Sequence, residues 1–223
     1  MRIVGRWVVR VAIAVLVILV GLIGLWSVLP PVSTLMLARW ATGRPVERIW
    51  TPLDRFSPSL RMAVVLSEDG QFCRHHGVDW QALSTVLDSA HGPTRGASTI
   101  PMQVAKNLFL WPSRSVVRKG IEIPLALILD AVWSKRRILE IYLNIAEWGD
   151  GVFGAEVASR KAFGKPAASL SPLEAALLAT ALPNPKLRHA GRPTRRQAVL
   201  ARIVLARVAH NGDAAACVTS DEG

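Results

Sequence analysis

The chain has 223 residues, with 27 Lys or Arg against 16 Asp or Glu, and a formal net charge of +11. This balance favours an acidic partner: anionic lipid headgroups, a pyrophosphate-bearing substrate or nucleic acid. Nucleic acid is the least favoured, because the sequence contains no helix-turn-helix, zinc-finger or aromatic RNA-binding motif. About 190 residues follow the apolar N-terminus, so we expect one domain with a sizeable core and no second domain.

The N-terminus contains a candidate membrane span. Residues 11–29 are uncharged and mostly apolar. As a helix they would span about 28 Å, close to the hydrocarbon thickness of a bilayer. Arg2, Arg6 and Arg10 precede them without an acidic residue, so the positive-inside rule predicts that residues 1–10 are cytoplasmic and that the rest lies outside. A cleaved signal peptide is the alternative, but its apolar core is usually shorter and ends at small residues. We therefore expect an uncleaved transmembrane anchor.

The following segments have helix signals. Residues 30–55 are expected to be a linker, and a Ser-Pro start signal then predicts a helix that places Glu68 near its C-terminal end. Apolar residues at spacings of three and four predict a second helix over 79–90. After a Gly- and Pro-containing break, Ser98 and Thr99 are suited to cap the next helix.

Later segments complete a mainly α prediction. Apolar residues at i, i+3, i+4 and i+7 predict an amphipathic helix over 135–146. Ser171 and Glu174 form a capping-box pattern that opens an alanine-rich helix. Pro124 is expected to interrupt the helix that contains Glu122. The sequence shows no strand alternation of useful length and no internal repeat, so the predicted fold class is mainly α.

Two separated carboxylates stand near clustered cations. Glu68 precedes Asp69 in a segment whose glycines allow close backbone approach. Four cations fall within fourteen residues, at Lys106, Arg114, Arg118 and Lys119. Such a run is usually a solvated face, and Glu122, four residues after Arg118, would on its own be only a helix ion pair. Carboxylates and cations together suit a reaction in which a hydroxyl loses a proton while a phosphate-bearing group departs.

Four motifs occur in a fixed order. They are E-D-G-Q-F-C-R-H-H-G from Glu68, G-A-S-T-I-P-M-Q-V-A-K-N from Gly96, R-K-G-I-E from Arg118 and K-R-R-I-L-E-I-Y-L-N from Lys135. Together they closely resemble the peptidoglycan glycosyltransferases of glycosyltransferase family 51, and each alone would be a weak match. The resemblance implies a lysozyme-like helical glycosyltransferase domain over 56–210 with a small membrane-proximal lobe. One transmembrane helix would precede this domain, and a polar tail over 211–223 would follow it.

The resemblance also implies an activity. Members of the family are inverting enzymes that polymerise lipid II into glycan strands and release undecaprenyl pyrophosphate, and no transpeptidase activity is expected here. Glu68 would be the general base and Glu122 the second acidic residue of the site. Glu140 is interpreted as structural. The residues expected to bind substrate are Ser98, Thr99, Gln103, Lys106, Asn107, Arg114, Arg118 and Lys119.

Two other functions stay open from the residues. A lytic transglycosylase shares the helical plan, but it would not need the four cations. An inactive, membrane-anchored module that binds cell-wall precursor is disfavoured by the intact Glu68 and Glu122.

The resemblance also implies partners and a location. The expected partners are lipid II, the growing glycan strand and the membrane, with cell-wall synthesis proteins as further candidates and no nucleic acid. The expected location is the bacterial inner membrane, crossed once, with the catalytic domain on the periplasmic side. No cofactor is expected to be required, and stimulation by Mg²⁺ or Mn²⁺ stays open.

Cysteine and histidine give weak signals. A disulfide between Cys73 and Cys217 is possible in an oxidising compartment, but their spacing does not demand one, so none is predicted. His75 and His76 lack the spacing of a metal motif, so a structural role is expected and no metal site is predicted.

Overall fold

The computed structural model describes residues 2–88, 97–113 and 115–219, and the chain divides into two units, Met1–Pro31 and Val32–Gly223. The first unit consists mainly of helix α1 (Arg2–Trp26). Within it, Gly5–Trp26 is long and apolar enough to cross a membrane, with a mean hydropathy of 2.9, which suggests a membrane anchor. The helix begins before residue 11, the start of the predicted span, because the N-terminal arginines do not interrupt helical backbone. It ends before residue 29, the end of the predicted span, because residues 27 and 28 form a turn.

The second unit is a helical domain, as the sequence predicted. Its described part contains ten α-helices: α2 (Thr34–Ala41), α3 (Pro58–Glu68), α4 (Trp80–Asp88), α5 (Ile100–Phe109), α6 (Val116–Val132), α7 (Lys135–Ile145), α8 (Ala155–Phe163), α9 (Pro172–Ala179), α10 (Arg195–Asn211) and α11 (Ala216–Thr219). Six of them (α2, α3, α5, α6, α7 and α9) begin after a Ser or Thr whose hydroxyl accepts a first-turn backbone N–H. Such caps satisfy donors that the helix leaves unpaired, so these starts are fixed locally.

The domain also contains a small sheet, and this sheet was not predicted from the sequence. It consists of β1 (Glu47–Arg48), β2 (Glu147–Gly149) and β3 (Val152–Phe153) in the order β1-β3-β2. Strands β1 and β3 are parallel, with Glu47 opposite Val152, and β2 pairs with β3 antiparallel. Strands of two or three residues are too short to show alternation, and only tertiary contacts define them.

Helix α3 lies in the core and carries the first motif. It packs against α9 and α10, and Leu60, Val64 and Val65 are fully buried. Helix α5 packs against both α6 and α7. Because α3 is enclosed by other helices, its last residue, Glu68, has a well-defined position.

Helix α6 is continuous, so the predicted interruption at Pro124 is wrong. The proline lies inside the helix, where it removes one backbone hydrogen bond. Residues on both sides of it pack inward: Ala126 forms a buried cluster with Val78 and Met102, and Ile123 packs against that cluster. We infer that this burial outweighs the lost bond, so tertiary packing overrides the local signal.

Cys73 and Cys217 form a disulfide, which the sequence left possible but did not predict. The two cysteines are 144 residues apart, and they meet because the C-terminal segment returns to α3. There Arg61 donates a hydrogen bond of 2.9 Å from Nη1 to the carbonyl of Val218. This return is a tertiary event that cysteine spacing does not encode.

Candidate active site

Glu68 is the last residue of α3 and borders a cavity of about 790 Å³. Its Oε2 accepts a hydrogen bond of 3.2 Å from Nε2 of Gln103. Burial raises the pKa of Glu68, and Asp69 raises it further, whereas the Gln103 hydrogen bond and the charges of Arg188 and Lys106 lower it. A carboxylate with a raised pKa accepts a proton more readily near neutral pH, as a general base must.

Asp69 joins the first motif to the second. Both of its carboxylate oxygens lie 3.0 Å from Nε2 of His75, and Oδ2 also accepts the backbone N–H of Ile100 at 2.8 Å. Asp69 therefore binds the first residue of α5, where unpaired N–H groups favour an anion. The His75 side chain, 8% exposed against Asp69, has the structural position that the sequence predicted, whereas the His76 side chain is 95% exposed.

Gly77 brings the loop after α3 close to α6. Its φ angle is +79°, and a Cβ atom built there would lie 2.6 Å from the carbonyl oxygen of Ala126. The Gly77 carbonyl also accepts a hydrogen bond of 2.6 Å from the hydroxyl of Thr99, the residue that caps α5. Both the backbone angle and the close approach require glycine.

Glu122 is buried between two of the predicted cations. It is 3% exposed, it forms an ion pair with Arg118, and its Oε2 lies 3.0 Å from Nζ of Lys119. Lys119 also donates a hydrogen bond of 2.7 Å to the hydroxyl of Ser98, and Arg118 Nε donates one of 2.6 Å to the carbonyl of Ser113. The described contacts of Glu122 are therefore to cations.

Lys106, Arg118 and Lys119 form a group that we call the cation cluster. Burial lowers the pKa of Lys106, and the charge of Arg118 lowers it further, whereas Glu68 raises it. Burial, Arg118 and Lys106 together lower the pKa of Lys119 to about 8. Glu122 pairs with two of these three partly desolvated cations, and a bound anion would stabilise the cluster further.

The structure brings the predicted residues together in two groups. Gln103 contacts Glu68, and Ser98 contacts the cation cluster. Asn107 lines a second cavity of about 170 Å³ together with Gln103 and Lys106. Arg114 lies outside the described residues. The assignment of these side chains to substrate binding stays a prediction, and the hydrogen bond of Gln103 to Glu68 points to a further task for that residue.

Two residues near the site were not identified from the sequence. The Tyr142 hydroxyl donates a hydrogen bond of 3.0 Å to Oε1 of Gln103. Arg188 contributes a charge that acts on Glu68 and donates a hydrogen bond of 3.0 Å to the carbonyl of Thr180. Tyr142 is the only tyrosine in the chain, which was an available signal, but its position on an apolar helix face indicated core.

Glu140 has the structural position that was predicted. Its carboxylate accepts the backbone N–H of Leu53 at 2.9 Å and pairs with Arg137. Asn144, one turn later, exchanges two hydrogen bonds with the backbone of Thr51, at 2.7 and 2.8 Å. Together these contacts hold the segment before α3 against α7. Among residues 2–88, 97–113 and 115–219, no group of three or more His, Cys, Asp or Glu residues could hold a metal ion.

A carboxylate with a raised pKa beside a cation cluster, on a helical domain that follows an apolar helix, is the combination expected of a group-transferring enzyme. A model of the family described as Transglycosylase matches residues 35–209. The chain therefore belongs to the transglycosylase family, and it is a glycosyltransferase of peptidoglycan synthesis.

Similar proteins agree with this assignment. A biosynthetic peptidoglycan transglycosylase of Brucella suis biovar 1 (strain 1330) is 51% identical over 212 residues, covering 94% of this chain and 95% of that protein. One of Agrobacterium fabrum (strain C58 / ATCC 33970) is 48% identical over 221 residues, 97% of this chain and 98% of that protein. One of Rhodospirillum centenum (strain ATCC 51521 / SW) is 58% identical over 168 residues, 74% and 73% of the two chains.

Proposed function

We propose that this protein polymerises lipid II into glycan strands with release of undecaprenyl pyrophosphate, and that Glu68 is the general base. The observation that carries the proposal is the cation cluster beside Glu68. Lys106 interacts electrostatically with Glu68, Arg118 and Lys119, so it lies between the proposed base and the other two cations in charge interactions. A leaving pyrophosphate is the anion that such a cluster would stabilise.

The reaction begins at the acceptor hydroxyl. Glu68 removes the hydroxyl proton while the oxygen attacks the anomeric carbon of the donor, and a new glycosidic bond forms with inversion. The bond from the anomeric carbon to the pyrophosphate oxygen breaks, and its electron pair leaves with that oxygen. Because Glu68 receives only the proton, it returns to its starting state by releasing the proton to water.

The cation cluster replaces the general acid that would otherwise protonate the leaving group. A pyrophosphate whose charge is neutralised by Lys106, Arg118 and Lys119 departs without protonation. Glu122 then acts indirectly, by holding Arg118 and Lys119 in position. Lytic cleavage of a glycan has no pyrophosphate leaving group, so that reaction would not need the cation cluster.

We propose that α1 anchors the domain in the inner membrane with the domain on the periplasmic side. The support is the apolar span within α1 and the arginines that precede its most apolar part. Digestion of spheroplasts with an added protease tests the orientation. The domain should be degraded in intact spheroplasts, and its protection there would contradict the proposal.

Polymerisation by the purified full-length chain tests the activity. Detergent-solubilised protein incubated with lipid II should yield glycan polymer, and Glu68→Gln should slow single-turnover polymerisation by about two to four orders of magnitude with lipid II affinity retained. Asp54→Asn is a matched control, because it also removes a carboxylate, from an exposed pair with Arg136. Near-normal polymerisation by Glu68→Gln would show that another group is the base.

A further inference from the structure

A chain of hydrogen bonds joins three helices at the proposed base. Tyr142 on α7 donates to Oε1 of Gln103 on α5 at 3.0 Å, and Nε2 of Gln103 donates to Oε2 of Glu68 at the end of α3 at 3.2 Å. Tyr142 is 1% exposed. The proposed reaction scheme gives Tyr142 no task.

The direction of the chain follows from its chemistry. A carboxylate that receives a proton can only accept hydrogen bonds, so Gln103 must turn its NH₂ group toward Glu68. The amide oxygen of Gln103 then faces Tyr142, whose hydroxyl must be the donor. Burial first, and then the negative charges of Glu68 and Asp69, raise the pKa of Tyr142 well above its ordinary value, so the phenol keeps its proton.

We infer that Tyr142 and Gln103 are positioning residues for Glu68: Tyr142 fixes the Gln103 amide, and that amide holds the carboxylate in the orientation that accepts a proton. The inference rests on the proposed role of Glu68 as base. Gln103 thereby has a task at the base in addition to its predicted contact with substrate. Tyr142 acts on the reaction only through Gln103.

A glutamine is suited to this position because it adds no charge. The charged groups near Glu68 act on its pKa in opposite directions: Asp69 raises it, and Lys106 and Arg188 lower it. A further cation at position 103 would stabilise the carboxylate too strongly for it to accept a proton. A neutral amide orients Glu68 with a smaller effect, provided that the amide cannot rotate, and Tyr142 supplies that restraint.

A double-mutant cycle with pH profiles tests the inference. Tyr142→Phe, Gln103→Leu and the double variant are assayed in full-length protein for kcat and KM on lipid II between pH 4 and 9. Each single variant should lower kcat by about three- to tenfold, the effect of losing one hydrogen bond to the base. The acid limb of the profile should move to higher pH, because a carboxylate without its donor protonates more easily. The double variant should resemble Gln103→Leu alone, since Tyr142 acts through Gln103.

Ile141→Val is the matched structural control. Ile141 neighbours Tyr142 on α7 and is fully buried, but it takes no part in the hydrogen-bond chain. This variant should lower thermal stability and leave the acid limb in place. A wild-type acid limb and kcat in Tyr142→Phe would overturn the inference, and so would effects of the two single variants that multiply in the double variant.

A direct titration separates this inference from the proposed function. The Glu68 carboxyl carbon, assigned by comparison with Glu68→Gln in ¹³C-glutamate-labelled protein, is followed by NMR over the same pH range. Its pKa should be higher in Tyr142→Phe than in wild type. If the wild type makes no glycan but the pKa shift is present, the proposed function is wrong and the role of the hydrogen-bond chain is supported. If the wild type makes glycan but the pKa shift is absent, the proposed function is supported and the role of the hydrogen-bond chain is wrong.

Discussion

The cation cluster predicts a specific dependence of pyrophosphate binding on pH. Lys119 has a pKa of about 8, held there by burial and by the charges of Arg118 and Lys106. In the free protein the uncharged share of Lys119 therefore rises from pH 7 to pH 9. A bound pyrophosphate favours the charged form and so raises the pKa of Lys119. Binding above pH 7 is therefore linked to proton uptake.

The sign and size of the effect follow from that linkage. Affinity should fall above pH 8, by up to about tenfold per pH unit, until the pH reaches the pKa of Lys119 in the complex. Lys106, whose pKa is also lowered, adds to the decline in the same direction. A lysine outside the cluster, with a pKa near 10.5, would give no decline in this range.

Calorimetry of undecaprenyl pyrophosphate binding in detergent, at pH 7, 8 and 9, measures the effect. Repeating the titration in buffers of different ionisation enthalpy gives the number of protons taken up. Lys119→Arg is the informative control, because its guanidinium stays charged and the decline should become shallower. Affinity that is equal at pH 7 and 9, or an unchanged slope in Lys119→Arg, would refute the assignment of a crowded anion-binding cluster.

Four other predictions follow from individual contacts. Glu122→Gln should impair single-turnover polymerisation less than Glu68→Gln does. Lys106→Ala should weaken lipid II binding and turnover together. An inactive Glu122→Gln variant together with an active Glu68→Gln variant would show that Glu122, and not Glu68, is the general base. Cys217→Ser should lower the free energy of unfolding by about 2–4 kcal/mol in denaturant titrations, and an unchanged midpoint would mean that the disulfide constrains nothing. Gly77→Ala should lower the thermal midpoint, because its positive φ and the 2.6 Å approach to a carbonyl oxygen exclude a Cβ atom. Gly70→Ala is the control, because a Cβ atom at that position would meet open space.

Local signals in the sequence were sufficient for the starts of α3 and α9. Ser57 and Ser171 start α3 and α9 as predicted, because the hydroxyl of a cap binds N–H groups only a few residues away. The amphipathic pattern likewise predicted α7 to within one residue of its C-terminal end, since an apolar face every three to four residues needs no knowledge of the partner helix. The family motifs added the candidate carboxylates and cations.

Contacts between distant segments were decided only by the tertiary structure. Residues 73 and 217 meet because the C-terminal segment returns to α3, and α6 passes through Pro124 because both sides of it are packed. The hydrogen-bond chain from Tyr142 through Gln103 to Glu68 joins residues that are 39 and 35 positions apart. Periodicity and capping report only on the turn in which they occur, so the sequence determined which groups the site contains, and packing determined which of them touch.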